Sequence, residues 1–236
     1  MDTDTPFETD EPGTSEHLWL ESLARVPAWL PRSTALTVVS PHPDDETFGA
    51  GGLIYTCAQL GYGITVVLVT DGENARPEMS NLAARRHDEL RTAMTCLAPD
   101  GARVVRLMLP DGGVTASEQY LTRRLLLTVP PHSTLVAPYE HDGHADHNAT
   151  SRACQAAARK LGVPCVRYPI WAWHRLRPDE LGSPPMGRLP LSPRAQAAKQ
   201  QAIECYRSQT EPRPGGAIVP PHVLTYFRRP YEVFLL

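Results

Sequence analysis

Residues 41–46 combine side chains that can bind a metal ion with one that can move a proton. They read Pro-His-Pro-Asp-Asp-Glu and offer an imidazole and three carboxylates. His42 and Asp45 are three residues apart, so a turn into a helix can aim both at one point. Asp44 lies between them with its carboxylate free, beside the water that an ion would hold, which indicates a hydrolytic metal site. The alternative is a helix N-terminus, where Asp is favoured as a cap, but this leaves the histidine unexplained.

A second segment carries more groups of the same kind. Residues 139–147 read Tyr-Glu-His-Asp-Gly-His-Ala-Asp-His, with three histidines and three carboxylates. His144 and His147 are three apart and can face the same way once a helix begins. A polar surface turn is the alternative interpretation of this segment by itself. Two histidines and one carboxylate, taken from both segments, would leave open positions on an ion, as catalytic sites do.

Alternating apolar patterns predict the elements that position both segments. Near-continuous runs of Val, Leu and Ile predict strands buried on both faces, at residues 35–40, 64–70, 103–109, 134–138 and 164–168. Helices are predicted between them, at residues 47–60, 80–97, 114–129 and 146–161. This alternation predicts an α/β fold with a mostly parallel sheet and helices on both faces. Because parallel strands end at one edge, we expect His147 to reach the space around His42 and Asp45.

The two ends of the chain depart from this pattern. Residues 1–14 are polar and acidic and are predicted to be disordered. Residues 15–236 are predicted to form a single domain, in which residues 170–236 are a loop-rich C-terminal cap because many of the 24 prolines lie there. Within the cap, a helix is predicted at residues 192–208 and an edge strand at residues 231–236.

Composition excludes several classes of protein. The net charge is −3 with charges of both signs interspersed, so we expect no nucleic-acid partner and no polybasic membrane surface. No apolar run is long enough to span a bilayer, and the first residues lack a signal-peptide pattern. Five scattered cysteines without a CxxC pair fit reduced thiols. A cytoplasmic localisation is predicted.

The pair of motifs, residues 41–46 and the sequence His-Ala-Asp-His at residues 144–147, resembles the PIG-L/LmbE family of metal-dependent de-N-acetylases. The resemblance spans about residues 35–161. It implies a Rossmann-like fold and a zinc ion, with ferrous iron as the alternative. It also implies a small-molecule substrate, an amino sugar or glycoconjugate that loses its N-acetyl group by hydrolysis.

The resemblance also assigns roles to residues at matching positions. The metal ligands correspond to His42, Asp45 and His147. Asp44 corresponds to the general base, and a protonated His144 would stabilise the oxyanion. Asp146 would be a carboxylate that orients a histidine.

Several side chains near the predicted strand edge are candidates for substrate contact: Asp71, Arg86, Asp111, Asp142 and Trp171. Turns are the alternative for Asp71 and Asp111. Arg86 matches an arginine that approaches sugar or phosphate groups in the family, whereas an exposed Arg86–Glu89 pair is the alternative. Trp171 could stack on a sugar ring or simply pack under the cap. Asp142 stands where some family members carry a tyrosine.

Other functions remain open at this point. A metal-dependent phosphoesterase would favour a second ion or bridging carboxylates, and only one compact ligand set is visible. A sugar-binding or metabolite-binding protein without turnover would keep the fold but lose Asp44 or a ligand, and all are present. The ligand set also resembles that of non-haem iron oxygenases. The sequence leaves open the sugar, the acyl group and whether the chain forms a homo-oligomer.

Overall fold

Seven strands form one mixed sheet in the computed structural model, which describes residues 11–76, 78–182, 184–212 and 216–236. The strands are β1 Ala35–Ser40, β2 Gly63–Thr70, β3 Arg103–Leu109, β4 Ser133–Pro138, β5 Cys165–Tyr168, β6 Met186–Pro190 and β7 Tyr231–Leu235. Their spatial order is β3-β2-β1-β4-β5-β7-β6. The first five in this order are parallel, and β7 is antiparallel to both β5 and β6.

Helices cover both faces of the sheet. They are α1 Glu16–Leu23, α2 Asp45–Gln59, α3 Leu82–Leu97, α4 Val114–Thr128, α5 Ala145–Leu161, α6 Ala172–Arg175, α7 Pro193–Cys205, α8 Arg207–Thr210 and α9 Pro221–Phe227. A short 3₁₀ turn spans Glu73–Ala75. The mostly parallel sheet, with helices on both faces, confirms the predicted α/β fold.

Within the described ranges, no helix has the length and apolar character needed to cross a bilayer.

Side chains of the central strands alternate between two cores. Val38 and Val66 pack into the core formed with α2, α3 and α7. Their neighbours Val39 and Val67 pack into the core formed with α4 and α5. This two-sided burial explains why the strands read as continuous apolar runs instead of an alternation of apolar and polar residues.

The strand order reverses between β1 and β4, which are paired with Val38 opposite Val136. Ligands of open α/β folds bind at the carboxyl ends of strands flanking such a reversal. Because β1 and β4 are parallel neighbours, the loops that follow them emerge side by side at this edge. The first loop opens α2 and the second opens α5.

The two ends of the chain differ from the sequence prediction. The C-terminal region is more than a cap, because β6 and β7 extend the sheet, and β7 lies between β5 and β6 instead of at the edge. The disorder predicted for residues 1–14 falls mostly on residues 1–10, outside the described residues. Thr14 is ordered: its amide donates to the His174 carbonyl at 3.0 Å and its hydroxyl donates to the Leu176 carbonyl at 2.8 Å.

Helix α2 is interrupted beside the site, and a buried ion pair stabilises the break. Ala50 has φ −142° and ψ 16°, so the helix restarts after it. The carboxylate of Glu232 on β7 accepts the amides of Gly52 and Leu53 at 2.7 and 2.8 Å, as a cap would. Lys199 on α7 neutralises this carboxylate at 2.6 Å.

Replacing Lys199 with Met should leave the buried Glu232 carboxylate without its counter-charge. Removing one partner of a buried pair typically costs about 3–5 kcal/mol, so we expect the urea midpoint to fall. Arg91→Met, which breaks the exposed pair between Arg91 and Asp88, is the control and should leave the midpoint nearly unchanged. Equal midpoints for both variants would show that the Lys199–Glu232 pair does not stabilise the break in α2.

Candidate functional site

The loop after β1 is organised by the buried carboxylate of Glu46. Its Oε2 accepts hydrogen bonds from Ser40 Oγ at 3.0 Å and from the Asp44 amide at 3.1 Å. Its Oε1 accepts from Thr47 Oγ1 at 2.7 Å and from the Tyr206 hydroxyl. Burial raises the pKa of Glu46, and these four donors oppose that shift. The sequence showed Glu46 as one carboxylate of the motif without indicating this role.

Asp44 has a backbone conformation that usually requires glycine. Its φ is 138° and its ψ is −32°, a region that costs an ordinary residue roughly 1–3 kcal/mol. The hydrogen bond from its amide to Glu46 holds it there. The strain is therefore maintained by the surrounding contacts, at the residue predicted to be the general base.

Three ligand atoms converge where the two loops meet. Asp45 Oδ2 lies 3.2 Å from His42 Nδ1 and 3.3 Å from His147 Nε2. Each of the three residues offers one ligand atom within 4.8 Å of the others, and all three are buried. Although burial opposes it, the carboxylates of Asp45 and Asp142 raise the pKa of His147 to about 9. The same histidines hold the pKa of Asp45 far below its usual range against the effect of burial.

Carboxylates also face the outer nitrogens of both histidines. His147 Nδ1 lies 2.8 Å from Asp142 Oδ2. His42 Nε2 lies 3.2 Å from Asp111 Oδ1 and 3.4 Å from Asp146 Oδ2. These carboxylates raise the pKa of His42, although burial opposes the shift. Metal-binding histidines in proteins typically have such a carboxylate behind them, which fixes the ring and makes it a better ligand.

The donor set fits a metal ion. Neither ring nitrogen of the fully buried His147 has a well-aligned hydrogen bond among the described residues, so Nε2 is available for coordination. A second candidate set, formed by His42, His144 and Asp146, shares His42 with the first. In that set the Asp146 carboxylate already accepts two amides, at 2.7 and 3.1 Å. The set formed by His42, Asp45 and His147 is therefore the better site, and its two imidazoles and one carboxylate suit zinc or ferrous iron.

Asp44 points into the same region and is held by Arg86. The Arg86 Nη2 atom donates to Asp44 Oδ2 at 3.1 Å and to the Pro43 carbonyl at 2.8 Å. Burial raises the pKa of Asp44 well above its usual range, even though the Arg86 charge lowers it. A carboxylate with a raised pKa is suited to accept and return a proton near neutral pH.

Arg86 therefore does not form the exposed pair with Glu89 that the sequence left open. It is buried in α3 and contacts the loop after β1, whereas Glu89 lies 3.3 Å from Arg85 Nε. Arg86 does line the cavity next to Asp44 and Asp45. Its predicted contact with substrate stays a prediction.

His144 caps α5 and faces the cavity in a defined tautomer. The Asp146 amide donates to His144 Nδ1 at 3.3 Å. Nδ1 is therefore an acceptor, and the ring hydrogen is on Nε2. Burial, followed by the nearby His42 and His147, lowers the pKa of His144 to about 3. A neutral ring with an Nε2–H donor therefore replaces the protonated ring that was predicted for His144 from the sequence.

Asp142 and Asp71 do not line the cavity, contrary to their predicted substrate contacts. Asp142 is fully buried and accepts the amides of residues 170, 171 and 172 at 2.9–3.0 Å. It thus lies behind His147 and anchors the start of α6. Asp71 is paired with Arg106 Nε at 2.5 Å, next to the cavity instead of in it. Both carboxylates are committed to protein partners.

A cavity of about 380 Å³ opens above the candidate ligands. Several predicted residues line it: His42, Asp44, Asp45, Arg86, Asp111, His144 and Trp171. Other lining residues had no assigned role: Phe48, Asn74, Ala75, Gly112, Ile170, Gln209, Ile218, Val219 and Phe227. Most of the latter are apolar, and the sequence could not distinguish them from core residues. The site therefore has a charged floor and a largely apolar wall.

The fold and the site define a Rossmann-like α/β protein with a candidate metal centre at the carboxyl edge of its parallel strands. A family model described as GlcNAc-PI de-N-acetylase, PIG-L, matches residues 37–158, which is more than half of the chain. The chain belongs to the PIG-L family.

Three known proteins are similar to this chain. A probable N-acetyl-alpha-D-glucosaminyl L-malate deacetylase 2 from Bacillus cereus is 29% identical over 136 residues, which are 52% of this chain and 60% of that relative. The conserved protein TT1542 from Thermus thermophilus is 27% identical with a TM-score of 0.59, over 75% of this chain and 80% of its own. The zinc-inhibited form of teicoplanin deacetylase Orf2 shares the fold, with 17% identity and a TM-score of 0.63. The match covers 75% of this chain and 85% of that chain.

Replacing Glu46 with Gln should destabilise the protein, because each carboxylate oxygen accepts from two of the four donors, and an amide NH₂ in place of either oxygen would face two of them. A buried donor without its partner costs about 1–3 kcal/mol. We expect a lower free energy of unfolding in urea. Glu118→Gln, which alters a surface pair with Arg152, is the control. If both variants unfold at the same urea concentration, Glu46 does not organise the loop.

Proposed function

We propose that this protein is a metal-dependent hydrolase that removes the N-acetyl group from an amino sugar or a glycoconjugate. The observation that carries the proposal is the meeting of four kinds of group at one cavity, in a chain of this family. These groups are a buried ligand set, a strained carboxylate beside it, a neutral imidazole donor and an apolar wall. Hydrolysis of an amide needs the first three together.

His42, Asp45 and His147 would hold the ion, and Asp142, Asp111 and Asp146 would keep both imidazoles oriented. A bound zinc or ferrous ion would lower the pKa of a water towards about 7 and polarise the amide carbonyl.

Asp44 would move the proton. Its carboxylate has a raised pKa and is held in place by a hydrogen bond from Arg86. It would take the proton from the attacking water. It would then return this proton to the departing amine, which is a poor leaving group until protonated.

His144 would stabilise the tetrahedral intermediate. His144 lines the cavity, and a neutral ring with its hydrogen on Nε2 can donate this hydrogen to the developing oxyanion without first gaining a proton.

The rival functions make different demands on the site. Among the described residues, the two groups that could hold an ion share His42, so separate ligand sets for the two ions of many phosphoesterases are not offered. A binding protein would not need the strained backbone of Asp44. Turnover decides between these functions.

The function is tested by amine release from a panel of N-acetylglucosamine conjugates, with metal-stripped protein and with zinc or ferrous iron added back. We expect metal-dependent release by the wild type. Asp44→Asn should lose roughly 100- to 10,000-fold in kcat while still binding the ion. The exposed Asp100→Asn is the matched control. A fully active Asp44→Asn variant would overturn the assignment of Asp44 as the general base. No amine release across a broad panel would overturn the proposed deacetylase activity.

The ligand set is tested separately through metal content after dialysis. His147→Ala should lose stoichiometric zinc, whereas His141→Ala, an exposed histidine of the same loop, should keep it. Asp142→Asn should weaken zinc binding by about 10- to 100-fold, because the carboxylate behind the ring is lost. Unchanged zinc in His147→Ala would remove this residue from the ligand set.

A further inference from the structure

Among the described residues, two polar side chains line the cavity without a part in the proposed chemistry: Asn74, whose Nδ2 donates to the Asp111 carbonyl at 2.7 Å, and Gln209 on α8. The neighbours of Gln209 in the wall include Val219 and Phe227, whose side chains offer no hydrogen-bonding atom. Gln209 is fully buried in the protein, and its Oε1 atom has no hydrogen-bond partner among the described residues. Buried side-chain oxygens are normally paired, so an orphan in a cavity wall indicates a ligand that supplies the missing donor.

Neighbouring contacts fix which end of the amide is left without a partner. Ser208 Oγ donates its single proton to Glu89 Oε2 at 2.5 Å. Towards Gln209 the same hydroxyl can therefore only accept, and Gln209 Nε2 donates to it at 2.7 Å. The NH₂ end of the amide is thus committed to Ser208. The carbonyl oxygen must be the end left for a ligand.

The position of the amide is equally well fixed. Glu89 accepts the Ser208 amide at 2.8 Å as well as its hydroxyl, and Arg85 holds the same carboxylate at 3.3 Å. Glu89 lies on α3 three residues after Arg86, on the neighbouring turn of the same face. Because Arg86 holds Asp44, Gln209 lies on the Asp44 side of the cavity. An acceptor at this position would face a group close to the amide that reacts.

We propose that Gln209 Oε1 accepts a hydrogen bond from a ring hydroxyl of the substrate and so selects a sugar with a free hydroxyl near its acetamido group. This inference rests on the proposed function and deepens it by assigning a specificity-determining residue. The selectivity would come from the penalty for leaving a buried acceptor unpaired, which a substrate lacking the hydroxyl cannot relieve.

The test uses the benzyl glycoside of N-acetylglucosamine, its 3-, 4- and 6-deoxy analogues, and the corresponding amines. The amines are products and are not consumed, so their Kd can be measured by calorimetry whether or not turnover occurs. Gln209→Met replaces the amide with an apolar chain of similar length, and Gln209→Leu is a second variant. The control is Gln201→Met, an exposed glutamine on α7.

We expect Gln209→Met to bind the parent amine roughly 10-fold more weakly, the size of one hydrogen bond. The 3-deoxy amine, which lacks the hydroxyl next to the amino group, should bind the wild type about 10-fold more weakly and should lose nothing further in Gln209→Met, since the two changes remove the same contact. Gln201→Met should behave like the wild type.

Equal Kd values for wild type and both Gln209 variants, or losses that simply add for the 3-deoxy amine, would overturn the assignment, as would a wild type that binds no member of the panel. Turnover by the wild type is scored independently. An active enzyme with no Gln209 effect refutes only the role of Gln209. A Gln209-dependent Kd without any amine release refutes only the deacetylase.

Discussion

The site depends on the hydrogen bonding of one buried carboxylate, that of Glu46. It joins the end of β1, the strained backbone of Asp44 and the first turn of α2, and through Tyr206 it connects them to the C-terminal region. An acceptor surrounded by four donors has one favourable arrangement, so the loop has little freedom to relax. That rigidity keeps Asp44 strained and places its carboxylate beside the ligand set, as preorganised catalytic groups require.

Two adjacent aspartates acquire opposite properties from this arrangement. Asp45 faces two imidazoles, which lower its pKa and keep it ionised as a ligand should be. The pKa of Asp44, one residue earlier, is raised by burial and is moderated by Arg86. Environments that push the pKa values of neighbouring carboxyl groups apart are how proteins divide roles between chemically identical side chains. The carboxylates behind His42 and His147 extend the same principle, because they strengthen the imidazoles as ligands.

Sequence was informative where the determinants are local. The five parallel strands follow from continuous apolar runs, and the meeting of the two loops follows from the shared edge of parallel strands. It failed where partners are distant along the chain. Glu46 meets Tyr206 160 positions later, and Asp142 meets residues 170–172. β6 contains glycine and proline and pairs only with β7 among the described strands, so no local sequence pattern predicted it. Arg86 lies in a helix whose charged sequence did not indicate that this side chain is buried.

In the proposed function, the reacting groups and the groups that select the substrate lie in two different parts of the chain. The proposed ligands, the base and the oxyanion donor all lie within the part shared with the family, residues 37–158. The apolar wall and Gln209 come mainly from residues after 158, where loops and short helices fold over the sheet edge. Such segments can change while the rigid sheet preserves the reacting groups. Family membership therefore bears on the reaction, whereas the substrate must be inferred from this wall.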